Sequence, residues 1–154
     1  MQNKVGRVDY RLVIIGSMLP DIIDKPVWFL AGRDASLSGR DFAHTLLFNL
    51  TLFAGGMFLL RYRKSGLFVL SVASLTHLVF DQMWRNLPTL FWPFAGPLRE
   101  RETTDWLSNL LSALFSKPDV YVPELIGLAV VLFFGYKLVS KKRITQFLQK
   151  GAID

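Results

Sequence analysis

Long apolar runs separated by short polar punctuation organise this chain. Leu12 to Leu30 is the first run, broken by Pro20-Asp21 and by Asp24-Lys25-Pro26. A signal peptide would have a small-residue cleavage site and no carboxylates in its apolar core, so the run reads as a retained, interrupted helix. A polar loop over 31–41 leads to the second run, Phe42 to Leu60, which carries His44 near its start and is stopped by Arg61-Tyr-Arg-Lys64. Gly66 to Trp84 is the third run. A connection over 85–121, rich in Trp, Pro and charge, precedes the fourth, Val122 to Val139, which Lys141-Lys-Arg143 ends. Each run approaches the ~20 residues that a bilayer requires of a helix, the second and fourth falling slightly short. The pattern predicts an all-α integral membrane bundle, a single domain over 1–154, with four transmembrane helices at roughly 12–30, 42–60, 66–84 and 122–139. Within the connection, Thr104 and Asp105 can cap a helix over about 105–115. It would put Trp106, Leu107, Leu110, Leu111, Leu114 and Phe115 on one face, as expected of a helix lying in the outer interface.

Composition agrees with this pattern and narrows the chemistry. Apolar residues make up 51% of the 154 and include 13 Phe, and the mean hydropathy is +0.33. With no Cys and only two histidines, His44 and His77, any metal must be held by imidazole and carboxylate. The net charge of +6 is a topology signal before it is a nucleic-acid signal. If the N-terminus, the 61–65 turn and the C-terminal tail share one side, that side holds 11 of the 18 basic residues and only Asp9 and Asp154 of the acidic ones. The positive-inside rule then gives a multi-pass protein of the cell (inner) membrane with both termini inside and the 31–41 and 85–121 loops outside. No aromatic-basic groove pattern accompanies the charge, so no nucleic-acid partner is expected. Trp84, Trp92, Trp106 and Tyr121 fit an interfacial aromatic belt.

The ionisable residues inside the runs carry the candidate chemistry. Such groups are costly within a bilayer and usually face a bundle interior where they act. His77 and Asp81 lie four apart, on one helix face, and an imidazole with a carboxylate one turn away suits a divalent metal. The plain structural alternative is a His–Asp hydrogen bond locking two helices. Depth helps to decide between them. Counted from Arg11, Asp21 lies at ~15 Å and Asp24 at ~20 Å. Counted back from Arg61, His44 lies at ~25 Å; counted from Ser65, His77 lies at ~18 Å and Asp81 at ~24 Å. Three helices thus deliver two His and three Asp to one outer layer of a ~30 Å core. Asp21 and Asp24, three apart, can share a face, and Pro20 frees backbone carbonyls beside them. Arg40, one helical turn before His44, is placed to hold an anionic substrate group. Glu124 is the one acidic residue of the fourth run, which is otherwise structural.

Gly16-Ser-Met-Leu-Pro-Asp-Ile-Ile-Asp-Lys-Pro26, Arg40-Asp-Phe-Ala-His-Thr45, His77-Leu-Val-Phe-Asp81 and the Pro93-Phe-Ala-Gly96 turn, in that order, resemble the membrane-bound metal-dependent hydrolase family. Its members are also called YdjM-like, LexA-binding inner-membrane hydrolases. The resemblance covers roughly residues 7–97. It groups the chain with zinc-dependent phospholipases C and single-strand nucleases, and so implies metal-assisted phosphoester hydrolysis; the outer depth of the polar layer favours a lipid or lipid-linked substrate at the extracytoplasmic face. It matches His44, His77, Asp81, Asp21 and Asp24 to the family's polar positions, with zinc, or manganese, as the expected divalent ion. His44, His77 and Asp81 would be metal ligands, Asp21 or Asp24 a further ligand or general base, and Arg40 a substrate-binding residue. Many members carry a further His near the N-terminus that this chain lacks, which implies one or two ions rather than a larger centre. A membrane scaffold or regulator and a small metal or proton transporter are the rival readings. The absence of polar residues near the cytoplasmic end argues against a transport path.

Overall fold

The computed structural model describes residues 8–31, 39–98, 115–116 and 118–151, and among them every regular element is helical. The chain forms two compact units, Met1–Arg101 and Glu102–Asp154.

In the first unit, α1 runs over Tyr10–Ala31. Asp9 starts it. The carboxylate accepts from the Arg11 backbone N–H at 3.0 Å and from the Arg11 guanidinium at 2.6 Å, while the Asp9 carbonyl accepts from Leu12. That guanidinium holds the Asp9 carboxyl below the usual carboxylate range. Pro20 and Pro26 both lie inside α1 without ending it. The interruption expected there is therefore confined to two missing N–H donors, which leave the Gly16 and Ile22 carbonyls without their usual helical partners. Next come α2, Leu46–Leu60, and α3, Gly66–Phe80, joined by a tight turn in which Arg63 takes a positive φ. Past α3, Gln82 adopts a left-handed conformation, and a single 3-10 turn, Met83–Arg85, leads to the short α4, Leu87–Leu90.

α3 is the centre of this unit, packed against both α1 and α2. Glycine permits the close approach on each side. A Cβ on Gly16 would sit 2.5 Å from the Leu70 carbonyl oxygen, and one on Gly56 would sit 2.7 Å from the Phe68 Cα. Small residues at helix contacts let backbones come together in this way. What is buried is mostly polar: Asp24, Asp41, His44, Thr45, Asn49, Ser71, Ser74 and Thr89, beside the apolar Ala43, Ala73, Leu78 and Met83. Large apolar side chains such as Ile14, Met18, Phe29, Leu30, Leu50, Phe58, Val79 and Phe80 lie outside.

In the second unit, α5 covers Pro118–Ser140 and α6 covers Ile144–Lys150. Lys142 turns the chain between them with a positive φ, and Gly151, also left-handed, caps α6 by donating to the Phe147 carbonyl at 2.8 Å. The outward side chains of α5 include Leu125, Ile126, Val131, Leu132 and Phe133.

These helices correct the expectation of four transmembrane spans. Among the described residues, no helix is long and apolar enough to cross a membrane. The run at 42–60 begins as helix only at Leu46, because Thr45 is an extended N-cap residue whose hydroxyl accepts from the Phe48 N–H. The run at 66–84 stops at Phe80. Both helices have 15 residues, about 22 Å at the α-helical rise. α1 is longer, but it carries Arg11, Asp21, Asp24 and Lys25. The interfacial helix expected at 105–115 lies, Phe115 apart, outside the described residues.

Candidate metal centre

The segment between α1 and α2 is where the polar core begins. Gly39, at φ +74°, donates its N–H to Asp41 Oδ2 at 2.9 Å. The next turns of backbone aim their N–H groups at one side chain. Asp24, from α1, accepts from the N–H of Asp41 at 2.8 Å, of Ala43 at 3.0 Å and of His44 at 3.2 Å. Hydrogen bonds to an ionised acceptor are about twice as strong as neutral ones, so this carboxylate holds a non-helical segment in one conformation. The same Asp24 Oδ2 lies 2.7 Å from His44 Nδ1. A carboxylate on Nδ1 favours the proton there and leaves Nε2 as the lone-pair nitrogen.

Asn49 extends the network from below. Its amide donates to the Ala43 and Thr45 carbonyls at 2.8 and 2.9 Å, and its oxygen accepts from the Ser74 hydroxyl of α3 at 2.6 Å. α1, the 39–45 segment, α2 and α3 are thereby tied to one another through buried polar groups.

His44 Nε2 faces two further carboxylates, Asp21 Oδ1 at 3.6 Å and Asp81 Oδ2 at 3.8 Å. The His77 ring stands edge-on to that of His44, centroids 5.4 Å apart. His44 Nε2, His77 Nε2 and Asp81 Oδ2 are all buried without a hydrogen-bond partner. One ligand atom each from Asp21, His44 and His77 lie within 4.8 Å of one another. Four-coordinate zinc at bonds of ~2.0–2.2 Å sets its ligand atoms ~3.3–3.6 Å apart, so small side-chain rotations bring this triad onto one ion. The donor set, two imidazoles and a carboxylate with lone pairs unused, fits a divalent metal.

The five acidic and imidazole residues singled out by sequence therefore meet, but not on equal terms. Asp21, His44 and His77 form the candidate triad. Asp24, expected as a ligand or base, is occupied by three backbone N–H groups and by His44 Nδ1. Asp81 divides its carboxylate, with Oδ1 taking the Arg40 guanidinium at 2.5 Å and Oδ2 turned toward His44. The spacing predicts Arg40 one helical turn before His44; the backbone there is not helical, and its guanidinium reaches across to Asp81 at the end of α3. Sequence reasoning missed Asn49, Ser74 and Asp41. An Asn inside the apolar run Leu46–Leu60 was the available signal, since an amide there needs buried partners.

Residues 2–144 of the chain match the family described as YdjM inner membrane protein. No curated protein and no solved structure matches the chain.

Proposed function

Since the chain belongs to the YdjM inner membrane protein family, we propose that it is a membrane-seated, metal-dependent hydrolase that cleaves a phosphoester of a lipid or lipid-linked substrate. The observation that carries this reading is the pair of buried, unpartnered imidazole nitrogens of His44 and His77 beside the Asp21 carboxylate. A buried polar atom left unsatisfied costs about 1–3 kcal/mol, and several around one point make sense where a ligand completes them. His44, His77 and Asp21 would hold the ion, with Asp81 Oδ2 in reach as a fourth donor. Imidazole and carboxylate donors suit zinc, with manganese as the alternative. A divalent ion bound there would polarise a phosphoryl oxygen and bring the pKa of its own water toward neutrality. Asp24 orients His44, and Arg40 steadies the anionic group of the substrate.

The membrane seating rests on the distribution of polarity. A buried set that is mostly polar beneath an apolar exterior is the arrangement expected where lipid is the solvent. The centre sits where α2 begins and α3 ends, whereas Arg61, Arg63 and Lys64 occupy the turn at the other ends of these helices. By the positive-inside rule that basic turn would be the end of the helix pair turned toward the cytoplasm, which would leave the centre at the end turned away from it.

The experiment is phosphate release from short-chain phosphatidic acid added to membrane vesicles containing the protein, with zinc or manganese supplied. Release by right-side-out vesicles, little by inverted ones, and none by His77→Ala is the expected result. If the metal-loaded wild type releases nothing in either orientation, or His77→Ala matches it, a membrane scaffold becomes the better account.

A further inference from the structure

The two carboxylates facing His44 Nε2 are built alike. Asp21 turns Oδ1 toward the imidazole and gives Oδ2 to Lys25 Nζ at 2.8 Å, one helical turn along α1. Asp81 turns Oδ2 toward the imidazole and gives Oδ1 to Arg40. Exposure rises along both paths. The His44 side chain is 0% exposed, Asp21 and Asp81 are 25% and 18% exposed, and Lys25 and Arg40 are 62% and 45% exposed. Solvent therefore meets the two cations before it meets the ligand atoms.

Resting on the hydrolase reading above, we infer that Lys25 is a second anion-binding residue of the site. With Arg40 it forms a two-cation clamp for the phosphoryl group of the substrate. Each cation sits one carboxylate away from His44 Nε2, so a phosphoryl anion drawn to an ion held there would lie within reach of both long, flexible side chains. Each also occupies the outer oxygen of its carboxylate, so that the inner oxygen would be the one offered to a metal. Lys25 brings a point charge on a long stem and Arg40 a planar fork, a combination that grips a phosphoryl group whatever its ester substituent. The ligand class is a phosphoryl anion, carried either by a lipid headgroup or by free phosphate.

The test is calorimetric binding to the full-length, zinc-loaded protein, with metal content measured on the same samples. Inorganic phosphate in detergent is one arm, and phosphatidic acid in phosphatidylcholine nanodiscs is the other. Lys25→Gln should weaken binding about 10- to 100-fold, the worth of one charge-assisted hydrogen bond. Its zinc content should stay at the wild-type level, and Lys25→Arg should restore most of the affinity. Weakening in the nanodisc arm alone assigns the clamp to a lipid headgroup, and weakening in both assigns it to phosphate itself. Wild-type affinity in Lys25→Gln in both arms overturns the clamp while leaving the hydrolase reading intact. Failure of that reading shows separately, as absence of phosphate release by a wild type that binds phosphate normally.

Discussion

Asp24 shows how much one side chain decides in this protein. A buried carboxylate that takes three backbone N–H groups and an imidazole nitrogen both folds the 39–45 segment and aims His44. Asp24→Ala would leave those donors buried and unpaired, with an expected loss of about 3–5 kcal/mol, the scale for breaking a buried charged pair. Asp24→Asn keeps the volume and one acceptor oxygen but loses the charge. It should fold and bind zinc about 10- to 100-fold more weakly, as when the outer partner of a metal-bound His is removed. Zinc titration with thermal unfolding in detergent reads both quantities, and wild-type zinc affinity in Asp24→Asn would show that the carboxylate does not position the imidazole. The presence of Asp24 at the site was legible from its three-residue spacing to Asp21. Its task was not, because the backbone donors that claim it come from a segment lying 17 to 20 residues further along the chain.

Two adjacent glycines on α2 separate packing from propensity. A Cβ on Gly56 would press on the Phe68 backbone at 2.7 Å, whereas one on Gly55 would make an ordinary 3.5 Å contact with the end of the Leu67 side chain. Gly56→Ala should therefore cost about 1–3 kcal/mol through overpacking. Gly55→Ala should gain up to about 1 kcal/mol from helix propensity. Unfolding midpoints of the two variants in one detergent check the contrast, and equal shifts would mean that the α2–α3 approach is looser than described. Helix positions were readable at this scale because the apolar runs are long and their basic stops are sharp. Helix starts and ends were not. Phe42 to Thr45 continues an apolar pattern, yet Asp24 captures its backbone, and Thr45 caps the helix so that it starts four residues later than hydropathy alone suggests. At the far end of α3, the left-handed Gln82 breaks a run that hydropathy carries to Trp84.

Among the described residues of the first unit, most of the buried side chains are polar and the large apolar ones lie outside. The candidate centre draws Asp21 from α1, His44 from the segment before α2 and His77 from α3, so an ion there would join parts distant in sequence. Ligand binding to the folded state alone adds stability, about 2.7 kcal/mol at a hundredfold excess over Kd. The convergence could be anticipated from depth counted along separate apolar runs, because helices of similar rise bring similar counts to similar heights. Which carboxylate coordinates and which supports could not, since that depends on side-chain direction across three elements. Metal analysis of the purified, full-length protein after zinc or manganese loading and removal of loosely held ions tests the central claim most directly. About one tightly held divalent ion per chain in the wild type is expected on the usual stoichiometry of a single His/carboxylate centre, with His77→Ala folded but without it. A metal-free wild type, or His77→Ala retaining the same ion content, would contradict the account.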